Sequence, residues 1–248
     1  MHSRLIALST LALVATLGAP ASQAQTCDDY FNASKDLAQV VKTALDAITA
    51  KNTSAQLAAL PAAEAALNKL AAAEVKAEVC NGNHINAYTP AQFIELSTLR
   101  AKGLDNGFPA NLPIVKQPNL NQGALAYVVG WIKFEQGNFN AALPAYDKGL
   151  TMFPHDHNLQ QEYLATLIRL QRYKDVVIYA DKILGNTFDY DDDTRAKIYF
   201  AKGIAFFSDN KLDEAKDSLT AASRYNLTDD IQNYLDQVDD ALAKKKKN

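Results

Sequence analysis

The chain has 248 residues, 48% apolar and 21% charged, with 25 lysines and arginines against 28 aspartates and glutamates. An acidic balance argues against the basic face that phosphate backbones require, so no nucleic-acid partner is expected. The length suits one elongated domain or two compact ones.

The first residues, "MHSRLIALSTLALVATLGAPASQAQ", read as a secretory leader. Arg4 supplies the basic start, Leu5 to Leu17 the apolar run, and Gly18 and Pro20 the break before a small-x-small site at 22–24. The apolar run is too short to cross a bilayer as a helix. Cleavage is expected after Ala24, with a lipid-modified Cys27 the less favoured alternative. No later segment is apolar enough to span a membrane, so a periplasmic or secreted protein is expected. Removing Arg4 leaves 24 bases against 28 acids, a net of −4; without Lys244 to Lys247 the body carries −8.

Residues 25–104 read as a helical region. Leu37, Val41, Leu45 and Ile48 form one stripe over a helix at 28–51. A second helix is expected over 54–79, capped by Thr53 or Ser54, with Leu57, Leu60, Leu67 and Leu70 on its stripe and a kink or start at Pro61. An antiparallel pair brings Cys27, at the start of the first, beside Cys80, at the end of the second. Two cysteines in an exported chain suggest a bridge, against the plainer reading of two unpaired buried thiols. Nothing beside either sulfur would lower its pKa, so neither reads as a catalytic thiol. Thr89-Pro90 opens a third helix carrying Phe93, Leu96 and Leu99 and stopping at Gly103. No alternating run of β-branched residues predicts a strand.

Residues 105–121, "DNGFPANLPIVKQPNLN", hold three prolines and four asparagines and read as a long loop and domain boundary. Beyond it a repeat begins, in a domain spanning 122–243. Phe139 and Tyr173 are 34 positions apart, as are Leu150 and Leu184. Ala142 and Ala215 are separated by 73, two such periods plus five residues assigned to "DYDDD" at 189–193. A helix–turn–helix period of 34 residues has a known family counterpart.

On these residues the chain resembles the tetratricopeptide (TPR) repeat family. In the first unit the resemblance is carried by Gly130, Gly137, Phe139, Ala142, Tyr146, Gly149, Leu150 and Pro154. In the third it is carried by Gly203, Phe206, Leu212, Ala215, Leu219 and Ala222. The second is weaker: Leu167, Tyr173 and Ile183 fit, while Val176 and Ala180 exchange large for small. About three repeats cover 123–226. The implied fold is an all-α helical-repeat superhelix with a C-terminal cap. In it, Gly130 faces Ala142, Tyr146 fills the space among three helices, and Gly149 admits the next unit. The last segment, "LTDDIQNYLDQVDDALAKKKKN", reads as that cap. Thr228 is its N-cap, Ile231, Tyr234, Leu235, Val238 and Leu242 its buried stripe, and 244–248 a basic tail open to weak contact with an anionic surface.

Catalytic and metal motifs are wanting. "HDH" at 155–157 reads as an interhelical turn, and Asp189, Asp191 and Asp193 have calcium-loop spacing without the glycine or twelfth-position glutamate such a loop needs. No nucleophile elbow or phosphate-cradling glycine loop is present. Hence no enzyme, cofactor or metal is expected. The resemblance implies instead a concave groove lined by the first helix of each unit. Its outward residues would be Tyr127, Trp131, Phe134 and Glu135, then Gln161, Ile168 and Arg169, then Phe200, Ile204 and Phe207. Aromatic and arginine side chains commonly dominate binding energy, so a protein or peptide partner is the expectation. The alternative is a structural envelope protein whose N-terminal region fills this groove and which associates through its convex face or cap.

Overall fold

The computed structural model describes residues 27–247 apart from 74–76, 81, 89, 105–106, 118–120 and 186–189. The expected leader, Thr89 and Asp189 lie outside the described residues, as does the Cys27 side chain. Eleven helices are described: α1 (Cys27–Asp36), α2 (Ala38–Thr49), α3 (Thr53–Ala72), α4 (Pro90–Ala101), α5 (Gln122–Glu135), α6 (Phe139–Met152), α7 (His157–Arg169), α8 (Tyr173–Leu184), α9 (Asp192–Ser208), α10 (Leu212–Tyr225) and α11 (Asp229–Lys247). Three short strands join them: β1 (Glu78–Cys80), β2 (His84–Ala87) and β3 (Ile114–Lys116).

The repeat is written most plainly in its turns. Between α5 and α6, Gly137 takes φ +72°. Its amide donates to the Phe134 carbonyl at 2.8 Å, and the Asn138 amide reaches back to Lys133 at 2.9 Å. Gln171 (φ +56°) and Asn210 (φ +58°) repeat this conformation between α7 and α8 and between α9 and α10, with the same pair of backbone bonds. Lys51 (φ +50°) repeats it again between α2 and α3, where Lys51 donates to Ile48 and Asn52 to Ala47. This left-handed residue with its two return bonds closes a helix's last carbonyls and aims the chain back antiparallel. Gly103 (φ +64°) ends α4 with the same two bonds, so the turn is a general helix stop; what sets α2 and α3 beside the three expected pairs is that they pack on one another across it.

Packing within each pair follows one rule of complement. An added Cβ at Gly130 would sit 2.4 to 2.7 Å from the Tyr146 ring. The group over Gly130 is thus Tyr146 rather than the expected Ala142. At Gly203 the same addition would meet Leu219 at 2.7 Å. The matching positions of the α7–α8 pair are Leu164 and Ala180, both buried in one core. The large side chain has moved to the first helix and the small one to the second, so the volume between the helices is conserved. In the α2–α3 pair the positions hold Ala44 and Leu60. Gly149, as expected, admits a neighbour: its Cβ would touch Ala126 at 2.5 Å and Leu159 of the next pair at 2.7 Å.

Several boundaries differ from expectation. The first helix breaks at Leu37 into α1 and α2. Asn52, not Thr53 or Ser54, caps α3, its side chain accepting from the Ala55 amide at 3.0 Å. Helix α3 runs through Pro61, a proline that costs one backbone bond with its preceding turn, and ends at Ala72 rather than 79. Leu57, expected on its buried stripe, is exposed, and Ala59, Ala63 and Ala66 supply the close contacts instead. The five-residue insertion does not form a loop alone. Helix α9 has 17 residues against 13 in α7, because Asp191 caps an added first turn by accepting from Thr194 at 2.7 Å.

The largest correction is a sheet where none was predicted. β1 pairs antiparallel with β2, Val79 opposite Ile85, and β2 pairs parallel with β3, Ile85 opposite Ile114. Ile85, Ala87 and Leu96 form its small core under α4, with Phe93, Phe108, Leu112 and Ile114 packed around them. The expected 105–121 loop therefore contributes a strand. Strands of three or four residues are too short to show alternation, although the Asn81-Gly82 dipeptide, with Gly82 at φ +69°, is a hairpin signal. Cys80 closes β1 instead of ending a helix, and α1 packs beside β1.

Candidate functional site

The first helices of successive pairs touch one another: α2 with α5, α5 with α7, α7 with α9, and α9 with α11. Among the described residues, the second helices α3 and α6 also touch, while α6, α8 and α10 approach each other less than the first helices do. A stack whose first-helix row is crowded and whose second-helix row is spread curves toward the first row. The inner face is thus built from α2, α5, α7 and α9, and the N-terminal pair prolongs this row instead of lying across it. Lys133 of α5 pairs with Glu64 of α3, and Lys148 of α6 donates to Asn68, which fixes that pair edge-on to its neighbour.

Two hollows open along the inner face. One, of about 430 Å³, is lined by Leu45, Gly123, Ala124, Tyr127, Asp156 and Asn158. Leu45 stands at the register position that Trp131 holds in the next pair, which explains why this member of an apolar stripe is exposed. The second, of about 310 Å³, lies between α7 and α9 and gathers Gln161, Ile168, Phe200 and Ile204 with Glu162, Leu164, Ala165, Lys197 and Ala201. Four of the ten expected groove residues meet there.

The others are placed differently. Trp131 is half-buried on α5. Phe134 stacks edge-on with Phe139 at 5.0 Å, and the Arg169 guanidinium lies 5.3 Å from the Phe139 ring and 6.0 Å from Phe134. That trio closes the turn end of the α5–α7 seam. Phe207 turns toward the cap, with Tyr234 6.1 Å away, and Phe200 shares that ring at 5.4 Å while still lining the second hollow. Phe207 is therefore largely cap core. Thr228 does cap α11, accepting from Ile231 at 3.3 Å.

Sequence reasoning missed Glu162. It occupies the register position that holds Val128 in the preceding pair and Ala201 in the next, both buried. A carboxylate at a position apolar in its two neighbours was a readable signal. Burial, and then the charge of Glu135, push the Glu162 carboxyl above the usual carboxylate range. Around it, burial raises the Tyr127 and Tyr146 phenols, each further raised by Glu162.

The helix pairs in phase, the recurring left-handed turn and the crowded inner row decide the architecture. The chain has a tetratricopeptide-like helical-repeat fold. Similar solved structures include the first TPR domain of the human RPAP3 protein, at 23% identity and TM-score 0.46, over 51% of this chain and 97% of that one. A second is the MamA RS-1 ArsTM double mutant, at 19% identity and TM-score 0.37, over 43% of this chain and 57% of that one. No family model matches the sequence, and no curated protein matches it. No described helix is long and apolar enough to cross a membrane, and among the described residues no cluster of three or more His, Cys, Asp or Glu could hold a metal ion.

Proposed function

We propose that this protein is a non-catalytic scaffold that holds an extended peptide or a partner helix along the inner face of its helical stack. The observation that carries the reading is the pair of open hollows on that face, lined by Leu45 and Tyr127 in one and by Ile168, Phe200 and Ile204 in the other. The second hollow is mainly apolar and the first sets Leu45 and Tyr127 beside Asp156 and Asn158, a mixture that suits a segment burying alternate side chains. The placement of α2 and α3 at the end of the row, rather than across it, favours this over a groove filled by the chain's own N-terminal region.

The leader at 1–24 supports export to a periplasm or to the exterior, with the mature chain beginning at 25. A Cys27–Cys80 bridge in that compartment is supported by the burial of Cys80 and by α1 packing beside β1. The N-terminal helical region, the connector and the repeat domain are read as 25–104, 105–121 and 122–243, with Lys244 to Lys247, which form the last turn of α11, a basic end that can touch an anionic surface. The test is affinity capture from the native envelope with wild type beside Trp131→Ala. The variant should lose the partner and keep its melting temperature within a few degrees. Binding that survives while the melting temperature falls steeply would refute the groove.

A further inference from the structure

The α7–α9 hollow has apolar walls and a charge at each end. Its walls run from Gln161 to Ile168 on α7 and from Lys197 to Ile204 on α9, two helical turns on each side. Leu164 and Ala201 are buried, while Ile168, Phe200 and Ile204 are half-buried and leave surface for an occupant. Glu162 stands at the first end, half-buried among the lining residues. Its backbone carbonyl accepts from Thr166 at 2.7 Å, but its carboxylate has no hydrogen bond or ion pair among the described residues. Lys197, at the same end, is neutralised by Asp193 at 2.6 Å. Arg169 stands just past Ile168, at the other end. It is exposed, its guanidinium lies 5.3 Å from the Phe139 ring and 6.0 Å from Phe134, and no carboxylate pairs with it among the described residues. Their sequence separation sets Glu162 and Arg169 about 10.5 Å apart along α7 and within about 20° of one another around its axis.

We propose that this hollow receives a partner helix that sets a lysine or arginine against Glu162, an acidic residue against Arg169, and leucine-like side chains between them. This rests on the inner face being the binding surface and names what lies on it. Charge complementarity fixes the two ends, because each uncompensated charge meets one of opposite sign. Spacing selects a helix. Positions i and i+7 of an α-helix also lie about 10.5 Å apart on one face, with i+3 and i+4 between them to enter the hollow. Side chains on one face of an extended strand recur every ~6.7 Å, so a strand places none at that interval. The volume of about 310 Å³, at the small end for a ligand site, suits two such side chains.

The test uses an acetylated and amidated alanine–glutamine peptide of about 18 residues, long enough to hold a helix, with glutamate, two leucines and lysine at i, i+3, i+4 and i+7. Binding to the mature full chain is read by calorimetry. In wild type, replacing the peptide's lysine by glutamine should weaken binding about tenfold, and replacing its glutamate about threefold, since Arg169 is the more exposed. Glu162→Gln should abolish the first difference alone, and Arg169→Gln the second alone. A copy with proline at i+2, which breaks the helix, should bind at least about tenfold more weakly. Losses that persist in both variants, or no loss at all, while Ile168→Ser or Ile204→Ser abolishes binding, would overturn the charge placement and leave the groove standing. Equal affinity for the proline copy would assign an extended occupant and overturn the helix. Binding indifferent to both serine variants would overturn the inference and the groove together. No binding at millimolar concentration would overturn the inference and leave the groove to the capture experiment. A dimer of the mature chain that the peptide dissociates would assign the hollow to a second copy and overturn a separate partner.

Discussion

Exchanging the large and small side chains across the α5–α6 pair tests the packing rule directly. Gly130→Leu, made alone, drives a branched side chain into ring atoms that already stand 2.4 Å from where a Cβ would go. One extra methylene in a full core costs about 1–3 kcal/mol. Four carbons against a buried aromatic ring should exceed that, even after a gain of about 1 kcal/mol for removing glycine from a helix interior. Tyr146→Ala alone leaves the volume of a fully buried ring empty and should cost about 3–5 kcal/mol. The double variant recreates the arrangement that Leu164 and Ala180 already hold in the next pair. It should recover about 1–3 kcal/mol relative to the sum of the single changes, the usual size of coupling between contacting residues. Urea unfolding followed by circular dichroism, on wild type and the three variants, measures all four stabilities. Strict additivity would refute the complement rule.

Two further outcomes follow from the same structure. The Glu162 carboxyl is raised on folding, so the folded state holds that proton more tightly than the unfolded chain. Its share of stability is full at pH below the ordinary carboxylate value and is lost as pH rises through the raised folded value. Denaturant midpoints measured from acid to neutral pH should therefore show a fall that Glu162→Gln removes; an unchanged profile in the variant would show that Glu162 does not carry it. For the proposed Cys27–Cys80 bridge, closing a loop of some 50 residues stabilises by about 4 kcal/mol on the chain-entropy estimate. Cys80→Ala in the exported chain should lose an amount of that order in a denaturant titration, while equal stability in wild type and variant would mean the thiols are not joined.

How far the sequence reached depends on how local each signal is. Gly130, Tyr146, Gly149, Gly203 and Leu219 announce close helix contacts because a missing side chain three or four places from a large one has few other uses. The second unit looked degenerate because Leu164 and Ala180 exchange roles across two helices, and no single-helix pattern shows a compensation. The α2–α3 pair was expected as two antiparallel helices, but its likeness to the repeat pairs escaped for a related reason. Its marker is the backbone of Lys51, a residue type that gives no hint of positive φ, whereas Gly137 gives one openly. Strands β1 to β3 are too short for periodicity, and β2 pairs with β3 across α4. On the inner face, helical register brings Gln161, Ile168, Phe200 and Ile204 to the walls of one hollow. Phe207 went to the cap because Tyr234, at the far end of the chain, reaches it first. Glu162 is a half-buried carboxylate whose influence on Tyr127 and Tyr146 crosses from one helix to two others, which no single-helix pattern shows.

Trp131, the chain's single tryptophan, reports on the central claim without any partner being known. Acrylamide quenching and emission maximum of the mature chain show directly whether the inner face is open. An accessible indole with red-shifted emission, shielded only when a binding segment is added, is the result the open groove predicts. A blue-shifted indole already protected from acrylamide in the isolated protein would mean that the chain covers its own inner face, and would contradict it.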